Sequence, residues 1–299
     1  MTLQQLKYVV TVAECGNITE AAKQLFVSQP TVTSAIHDLE KEMQIVIFVR
    51  TNKGVILSED GERFLGHARQ VLEQVDLIEG IYKNDVVSKP HFAVSCQHYS
   101  FAVNAFVDVI RRFDAYQYDF TIREEQTHEI IEDVTNLKSE LGVIYLSSKN
   151  TEVLSKLLKR NELEFTELFT ASPHVFICDS HPLAKKNSIT MEDLQDYPYL
   201  TYEQGEYNSQ YFSEEFVSTL DSRKNIRVRD RATLFNLIIG LNGYTVCSGV
   251  ISAELNGRNI ISKPLDVEEY MRIGIITRKG VVLSRYAREY IEALKAHCM

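Results

Sequence analysis

The chain has 299 residues, 44% of them apolar, which suits two or three domains with cores of their own and excludes a disordered chain. A net charge of −9 excludes a wholesale basic coat, though not one local nucleic-acid surface. Five cysteines (Cys15, Cys96, Cys178, Cys247, Cys298) with no CxxC, a start MTLQQLKYVVTVAEC without a signal core, and no apolar run near ~20 residues together predict a cytoplasmic protein with reduced thiols.

Leu3, Leu6, Val10 and Ala13 share one helical face, so residues 3–14 are expected to form a first helix, ended by Gly16. Asn17, three residues before Glu20, opens a second helix with a capping box, and Ala21, Ala22 and Leu25 give it a small packing face. Ser28 caps a third, in which Pro30 is tolerated in the first turn and Val32, Ile36 and Leu39 form the buried stripe. The link LFVS between the last two is so short that it forces a sharp crossing, as in a helix-turn-helix. Two β-rich runs then flank Thr51-Asn52-Lys53-Gly54, which reads as a hairpin. Helix-turn-helix plus hairpin is a winged helix, whose third helix enters the major groove by its N-terminal end.

In the segments LKYVVTVAECGNITEAAKQLFVSQPTVTSAIHDLE and IFVRTNKGVILSEDGE the chain resembles the LysR-type transcriptional regulators. The SQP-[VT] helix start, the paired alanines and the F-x-R before the wing carry the match together. The chain departs from the family at Ser34, His37 and Asp38, where basic residues are common, and at Gln44, where a Gly is common. Residues 1–58 hold five basic residues (Lys7, Lys23, Lys41, Arg50, Lys53) against five acidic ones (Glu14, Glu20, Asp38, Glu40, Glu42), so neutral donors must do much of the positioning on DNA. The candidate DNA-binding residues are Thr19, Ser28, Gln29, Pro30, Thr31, Thr33, Ser34 and His37, with Arg50, Asn52 and Lys53 at the wing. Gln29 suits adenine, a threonine methyl suits thymine, and the helix start favours phosphate.

Ser58 caps a further helix with Glu59, Asp60 and Glu62 in its first turn, where the helix dipole favours acids. Phe64, Ala68, Val71, Val75, Ile78 and Tyr82 follow at heptad spacing. Such a seam needs a partner surface, either its own domain or a second copy. The family's long linker helix favours a dimer, and a two-fold pair implies a roughly palindromic operator.

Ser88-Lys89-Pro90 breaks that helix, and strands then alternate with helices: HFAVSC, a helix from Ser100 to Phe113, YDFTIREE, a helix capped by Thr127 that reaches Leu137, and LGVIYL, suited to a parallel sheet. A second unit runs from EFTELFTASPHVFICD, through a helix opened by a Thr190–Asp193 capping box, to NIRVRD and TLFNLIIGLNGYTVCSG; a strand and an amphipathic helix close the chain. HPLA, L-x-D-Y-P and G-L-x-G extend the family resemblance over nearly the whole chain. It implies a two-lobed α/β effector domain similar to periplasmic binding proteins. The expected division is 1–58 winged helix-turn-helix, 59–88 dimerisation linker helix and 89–299 effector-binding domain, with a first lobe at about 89–166 and 267–299 and a second at about 167–266.

Ligands of open α/β sheets bind beyond the carboxyl ends of strands. After the first strand, Ser95, Gln97, His98, Tyr99 and Ser100 lead into a helix N-terminus suited to a carboxylate. Thr201, Tyr202 and Gln204 face them from a polar loop, and Glu125 and Gln126 after the second strand suit an amine, so an amino-acid-like or carboxylate effector fits. The alternative is that these groups only cap helices and fill a dry cleft. No cluster has metal-ligand spacing, no cofactor motif is present, and HExxH, Walker, GxGxxG and GxSxG patterns are missing, which argues against an enzyme. The competing class is a small-molecule binding or transport protein without a DNA role.

Overall fold

The computed structural model describes residues 1–51, 54–82, 90–113, 117–205, 209, 211–215, 223–251 and 256–298, excepting the side chains of 73, 76, 77, 80–82 and 298. Asn52, Lys53, the Tyr82 side chain and the expected break at Ser88-Lys89 lie outside the described residues. The chain divides into two units, Met1–Lys89 with Asn136–Lys138, and Pro90–Thr135 with Ser139–Met299.

In the first unit, α1 (Leu3–Cys15) begins on a reciprocal cap between Thr2 and Gln5 and stops at Gly16. Its buried residues are Leu6, Tyr8, Val9 and Val12. Of the expected stripe, Leu6 is buried and Val10 and Ala13 are half-buried against the same core, but Leu3 is exposed and the buried face is completed by Tyr8, Val9 and Val12. Packing against α2 (Ile18–Gln24), α3 (Gln29–Met43) and α4 (Glu59–Tyr82) at once sets that face, which one apolar stripe does not reveal. Asn17 caps α2 by accepting from the Thr19 and Glu20 amides, but the Glu20 carboxylate turns to Lys23 at 3.2 Å, so only half of the expected box forms. Ser28 caps α3 with Pro30 in its first turn, and Val32, Ile36 and Leu39 are buried in one cluster with Val9, Val12, Ala21 and Ala22.

β1 (Phe48–Thr51) and β2 (Gly54–Leu57) pair antiparallel as the wing. Gly54 has φ +142°, and a Cβ there would lie 2.3 Å from the Gly16 carbonyl oxygen, which also accepts from the Val55 amide at 2.9 Å. Only glycine allows that approach of wing to α1. Ser58 Oγ accepts from the Gly61 amide at 2.9 Å to open α4. Leu65 joins the helical core and Ala68 is buried, whereas Val71 and Ile78 stay exposed. Among the described residues the heptad seam is therefore split: Ala68 is used within the chain, Val75 is half-buried, and Val71 and Ile78 are exposed.

The second unit holds a five-stranded sheet ordered β4-β3-β5-β12-β6, with β3 His91–Cys96, β4 Asp119–Glu124, β5 Leu141–Leu146, β6 Leu163–Ala171 and β12 Met271–Arg278. β3 runs parallel to β4 and β5, but β12 pairs antiparallel with both β5 and β6. LGVIYL is accordingly buried at every residue yet lies between one parallel and one antiparallel neighbour. One face carries α5 (Ser100–Phe113) and α9 (Arg285–Cys298), with Phe92, Phe106 and Tyr290 in mutual ring contact. The other carries α6 (Thr127–Thr135) and α7 (Thr151–Arg160), which bury Ile130, Ile131, Leu154 and Leu158.

The sequence reading names no element at α7, although Leu154 and Leu158 recur at helical spacing. The helix expected to reach Leu137 ends at Thr135, and Leu137 has φ +56°. Thr127 is its first residue rather than a preceding cap.

The chain leaves this sheet between Ala171 and His174, several residues past the expected point at about 166, because β6 continues pairing with β12 through Ala171. The second lobe pairs β7 (His174–Cys178) with β10 (Thr245–Cys247) and β11 (Ile260–Pro264), and β8 (Tyr199–Tyr202) with β9 (Asn225–Val228). A Tyr199–Tyr244 bridge ties β8 to the β10 segment. α8 (Arg231–Leu241) is capped by Asp230. Thr190 and Asp193 do cap each other, at 3.1 and 3.4 Å, but the helix they open is a single 3-10 turn, Glu192–Leu194.

Candidate functional site

The reading face is built from the start of α3. Ser28, Gln29, Pro30, Thr31, Ser34 and His37 are exposed, Thr33 is half-buried, and Thr19 on α2 and Arg50 on β1 are exposed beside them in sequence order. Ser28 Oγ accepts from the Thr31 amide at 3.3 Å and meets Thr31 Oγ1 at 2.7 Å. Gln29 Nε2 donates to Thr33 Oγ1 at 2.7 Å, so the two side chains expected to read bases hold each other through an exposed bond. Four of the five acids of residues 1–58 are engaged. Glu40 Oε1 accepts from the Ile47 and Phe48 amides, Glu42 meets the N-terminus, Glu20 meets Lys23, and Glu14 lies 3.8 Å from Arg69. Asp38 remains, 3.9 Å from His37.

The cleft of the second unit is closed by side chains from both lobes. The His98 amide donates to Glu214 Oε2 at 2.9 Å, and its ring Nδ1 lies 2.8 Å from the same oxygen. Nε2 lies 3.1 Å from the Arg229 carbonyl, and the ring stacks on Tyr202 at 3.8 Å. Burial alone lowers the His98 pKa, but the charge of Glu214 and its hydrogen bond outweigh that and raise it. Arg231 bridges to Glu124 at 2.9 Å. Gln204 Nε2 donates to Glu214 at 3.1 Å while its Oε1 accepts from the Thr127 amide at 3.1 Å. The Tyr202 amide donates to Glu215 Oε1 at 2.6 Å, and Ser213 donates to Oε2 at 2.9 Å. Glu215 is fully buried, and burial followed by the charge of Glu214 pushes its pKa up to about 8.

His98, Tyr202, Glu214, Glu215 and Arg231 line a cavity of about 40 Å³, space on the scale of a few water molecules. Of the ten expected effector residues, His98, Tyr99, Ser100 and Tyr202 line it. Ser95 does not: it faces α6, donating to Asp133 at 2.7 Å and meeting Ser139 at 2.9 Å, because alternate residues of a strand face opposite sides. Gln97 is buried as a brace, donating to Thr127 and accepting from Tyr99 and the Tyr145 amide. Glu125 lies near Asp133 of its own lobe, and burial, then Asp133, raises its pKa to about 7. Gln126 lies against Gly205, Gln204 acts behind the cavity wall, and Thr201 is half-buried on β8.

Glu214, Glu215, Arg231 and Thr245, all on the cavity wall, are not among the residues expected from the sequence. Arg231 is within reach of the rule applied to β3 and β4, since it follows the carboxyl end of β9. Cys96 is fully buried, and burial, then Glu124, holds its thiol well above the ordinary value, unlike the exposed, low-pKa cysteines that sense oxidants. Among the described residues no group of three His, Cys, Asp or Glu is placed to hold a metal, and no helix is long and apolar enough to cross a membrane.

Two family models account for both units. The bacterial regulatory helix-turn-helix protein, lysR family, matches residues 3–62, and the LysR substrate binding domain matches residues 96–299. The chain is 27% identical to the uncharacterised HTH-type transcriptional regulator YbhD of Escherichia coli over 98% of its length and 90% of the relative's. It is 24% identical to the DNA-binding transcriptional dual regulator OxyR of the same organism, over 99% and 95%. Among solved structures, a full-length single-substitution variant of OxyR from Pseudomonas aeruginosa superposes with a TM-score of 0.65 at 21% identity, covering 99% of this chain and 95% of the other. Full-length CbnR in complex with its target DNA gives 0.58 at 18%, covering 99% and 100%. At those identities the two structures show the fold. With winged reader and two-lobed domain each matched in place, the chain belongs to the LysR family of DNA-binding transcriptional regulators.

Proposed function

We propose that the chain is a cytoplasmic regulator, not an enzyme, that binds two-fold-related promoter half-sites as a homodimer or dimer of dimers and answers to a small effector in the inter-lobe cleft. One observation carries the reading: an exposed, polar helix start on a winged reader is joined in one chain to a cleft closed by buried and half-buried charged side chains. The working division is 1–58 for the reader, 59–88 for the linker and 89–299 for the sensor. Val71 and Ile78, 41% and 58% exposed on α4, supply the apolar face a second copy would cover. Gln29, Thr31, Thr33 and Ser34 are the proposed base and phosphate contacts, with Arg50 at the wing. An effector that prefers one arrangement of the lobes shifts that arrangement's population and so the spacing of the readers.

A gel shift with DNA from upstream of the protein's own coding sequence, in excess non-specific competitor, tests this. Retardation that responds to added metabolites is the expected result. Failure to shift any promoter fragment favours a small-molecule binding protein instead.

A further inference from the structure

The position expected to receive an effector's carboxylate is already filled. The donors at the start of α5 are the His98 amide and ring, and both meet Glu214, whose other oxygen takes the Gln204 amide. A second carboxylate there would have to displace Glu214 and would add a negative charge beside Glu124 and Glu214. The charge count points the other way. Arg231 balances Glu124, and the His98 ring balances Glu214. Among the described residues no lysine, arginine or histidine pairs with Glu215. The groups that face it are Glu214 on its own segment, Tyr145 from β5, and Tyr199 and Tyr202 from β8, none of them cationic.

Two further observations point into the same cavity. Thr245 is 4% exposed, lines the cavity, and its Oγ1 has no hydrogen-bond partner among the described residues. A buried hydroxyl left unpaired calls for a ligand or a water. The rest of the wall carries the rings of Tyr202, Phe176 and Phe235 beside Ser100, Ser248 and Arg231, the last paired with Glu124, and ring faces attract organic cations.

We propose that this cleft binds a small organic ammonium without a carboxylate, its head between Glu214, Glu215 and Thr245 and its apolar body against Phe176, Phe235 and Met271. This rests on the reading of the cleft as the effector site. Glu215, held protonated near neutral pH by burial, ionises when the cation arrives, so binding moves one proton from its carboxyl to solvent. At about 40 Å³ the cavity is too small for such a ligand, so binding on this proposal requires the lobes to part.

Isothermal titration of the full chain at pH 7 with 2-phenylethylammonium, 3-phenylpropanoate and phenylalanine, each in phosphate and in Tris, tests the proposal. The ammonium is expected to bind at least tenfold more tightly than the other two. Its apparent enthalpy should differ between the buffers by the amount due to release of up to one proton. E215Q keeps the shape of the side chain, and should abolish proton release and weaken the ammonium at least tenfold, with its melting temperature confirming the fold. Binding by the carboxylate or the amino acid in preference to the amine overturns the ammonium assignment while leaving an effector cleft in place. Binding of none of the three overturns it as well, and the gel shift then judges the regulator reading separately.

Discussion

His98 and Glu214 are joined twice, through the His98 backbone amide at 2.9 Å and its ring Nδ1 at 2.8 Å, with 4% and 5% of their side chains exposed. The other ring nitrogen faces the Arg229 carbonyl at 3.1 Å, which can only accept. Both ring nitrogens therefore face acceptors, the arrangement that favours the imidazolium.

That pairing gives stability a pH dependence. Burial lowers the His98 pKa but Glu214 raises it further, so its contribution is complete below the unfolded value near 6.5 and is lost as pH climbs through the higher folded value. Glu215 acts with the same sign. Its pKa rises from 4.5 to about 8 on folding, so the folded chain keeps a proton that the unfolded chain gives up, and stability falls as pH rises across that interval. Thermal melts should show a drop of about 4–8 °C between pH 6 and pH 8.5, a loss of roughly 2 kcal/mol. E215Q should flatten most of that slope. A variant melting curve as steep as the parent's would show that Glu215 is not the titrating group.

Ser95→Ala separates bracing from binding. The hydroxyl bonds Asp133 and Ser139 behind the sheet, so its loss leaves a buried carboxylate short of a donor and costs about 1–3 kcal/mol. Ligand affinities measured by titration should change less than twofold. A selective loss of ligand binding with an unchanged melting temperature would return Ser95 to the cleft.

On the reading face, Gln29→Ala and Thr33→Ala should each weaken specific DNA binding about tenfold, corresponding to about 1.4 kcal/mol within the range of one good base contact. Arg50→Ala should instead weaken all sequences alike and reduce the salt slope by about one. Anisotropy titrations on operator and scrambled duplexes distinguish the two behaviours; equal losses on both duplexes for Gln29→Ala would remove it from base reading.

The reader is the part most legible in sequence, because its determinants are local. Gly16, Asn17, Ser28 and Pro30 act within a turn of where they stand, and each takes its expected position. The expected α1 stripe takes in Leu6, Val10 and Ala13 but not Tyr8, Val9 and Val12, because three neighbouring helices widen its buried face. In the cleft, taking every residue at the end of β3 as a ligand donor leaves out strand alternation, which turns Ser95 away. Glu214 and Glu215 carry no periodic signal. Their role arises because the segment after β8 reaches the first lobe, with Tyr145 donating to the Ser213 carbonyl at 3.0 Å and Thr127 to that of Phe212 at 2.8 Å.

The central claim is that a reader with no net charge over residues 1–58 grips DNA through pairing rather than through its own cations. Fluorescence anisotropy on the protein's upstream DNA, over a range of salt and beside a V71K/I78K variant, tests it most directly. With two wing cations per subunit, Arg50 and Lys53, the log–log salt slope of the dimer should be about −4. The variant should remain folded, sediment as a monomer, and bind at least a hundredfold more weakly. A slope steeper than about −8, or a monomeric variant with the parent's affinity, would contradict the account.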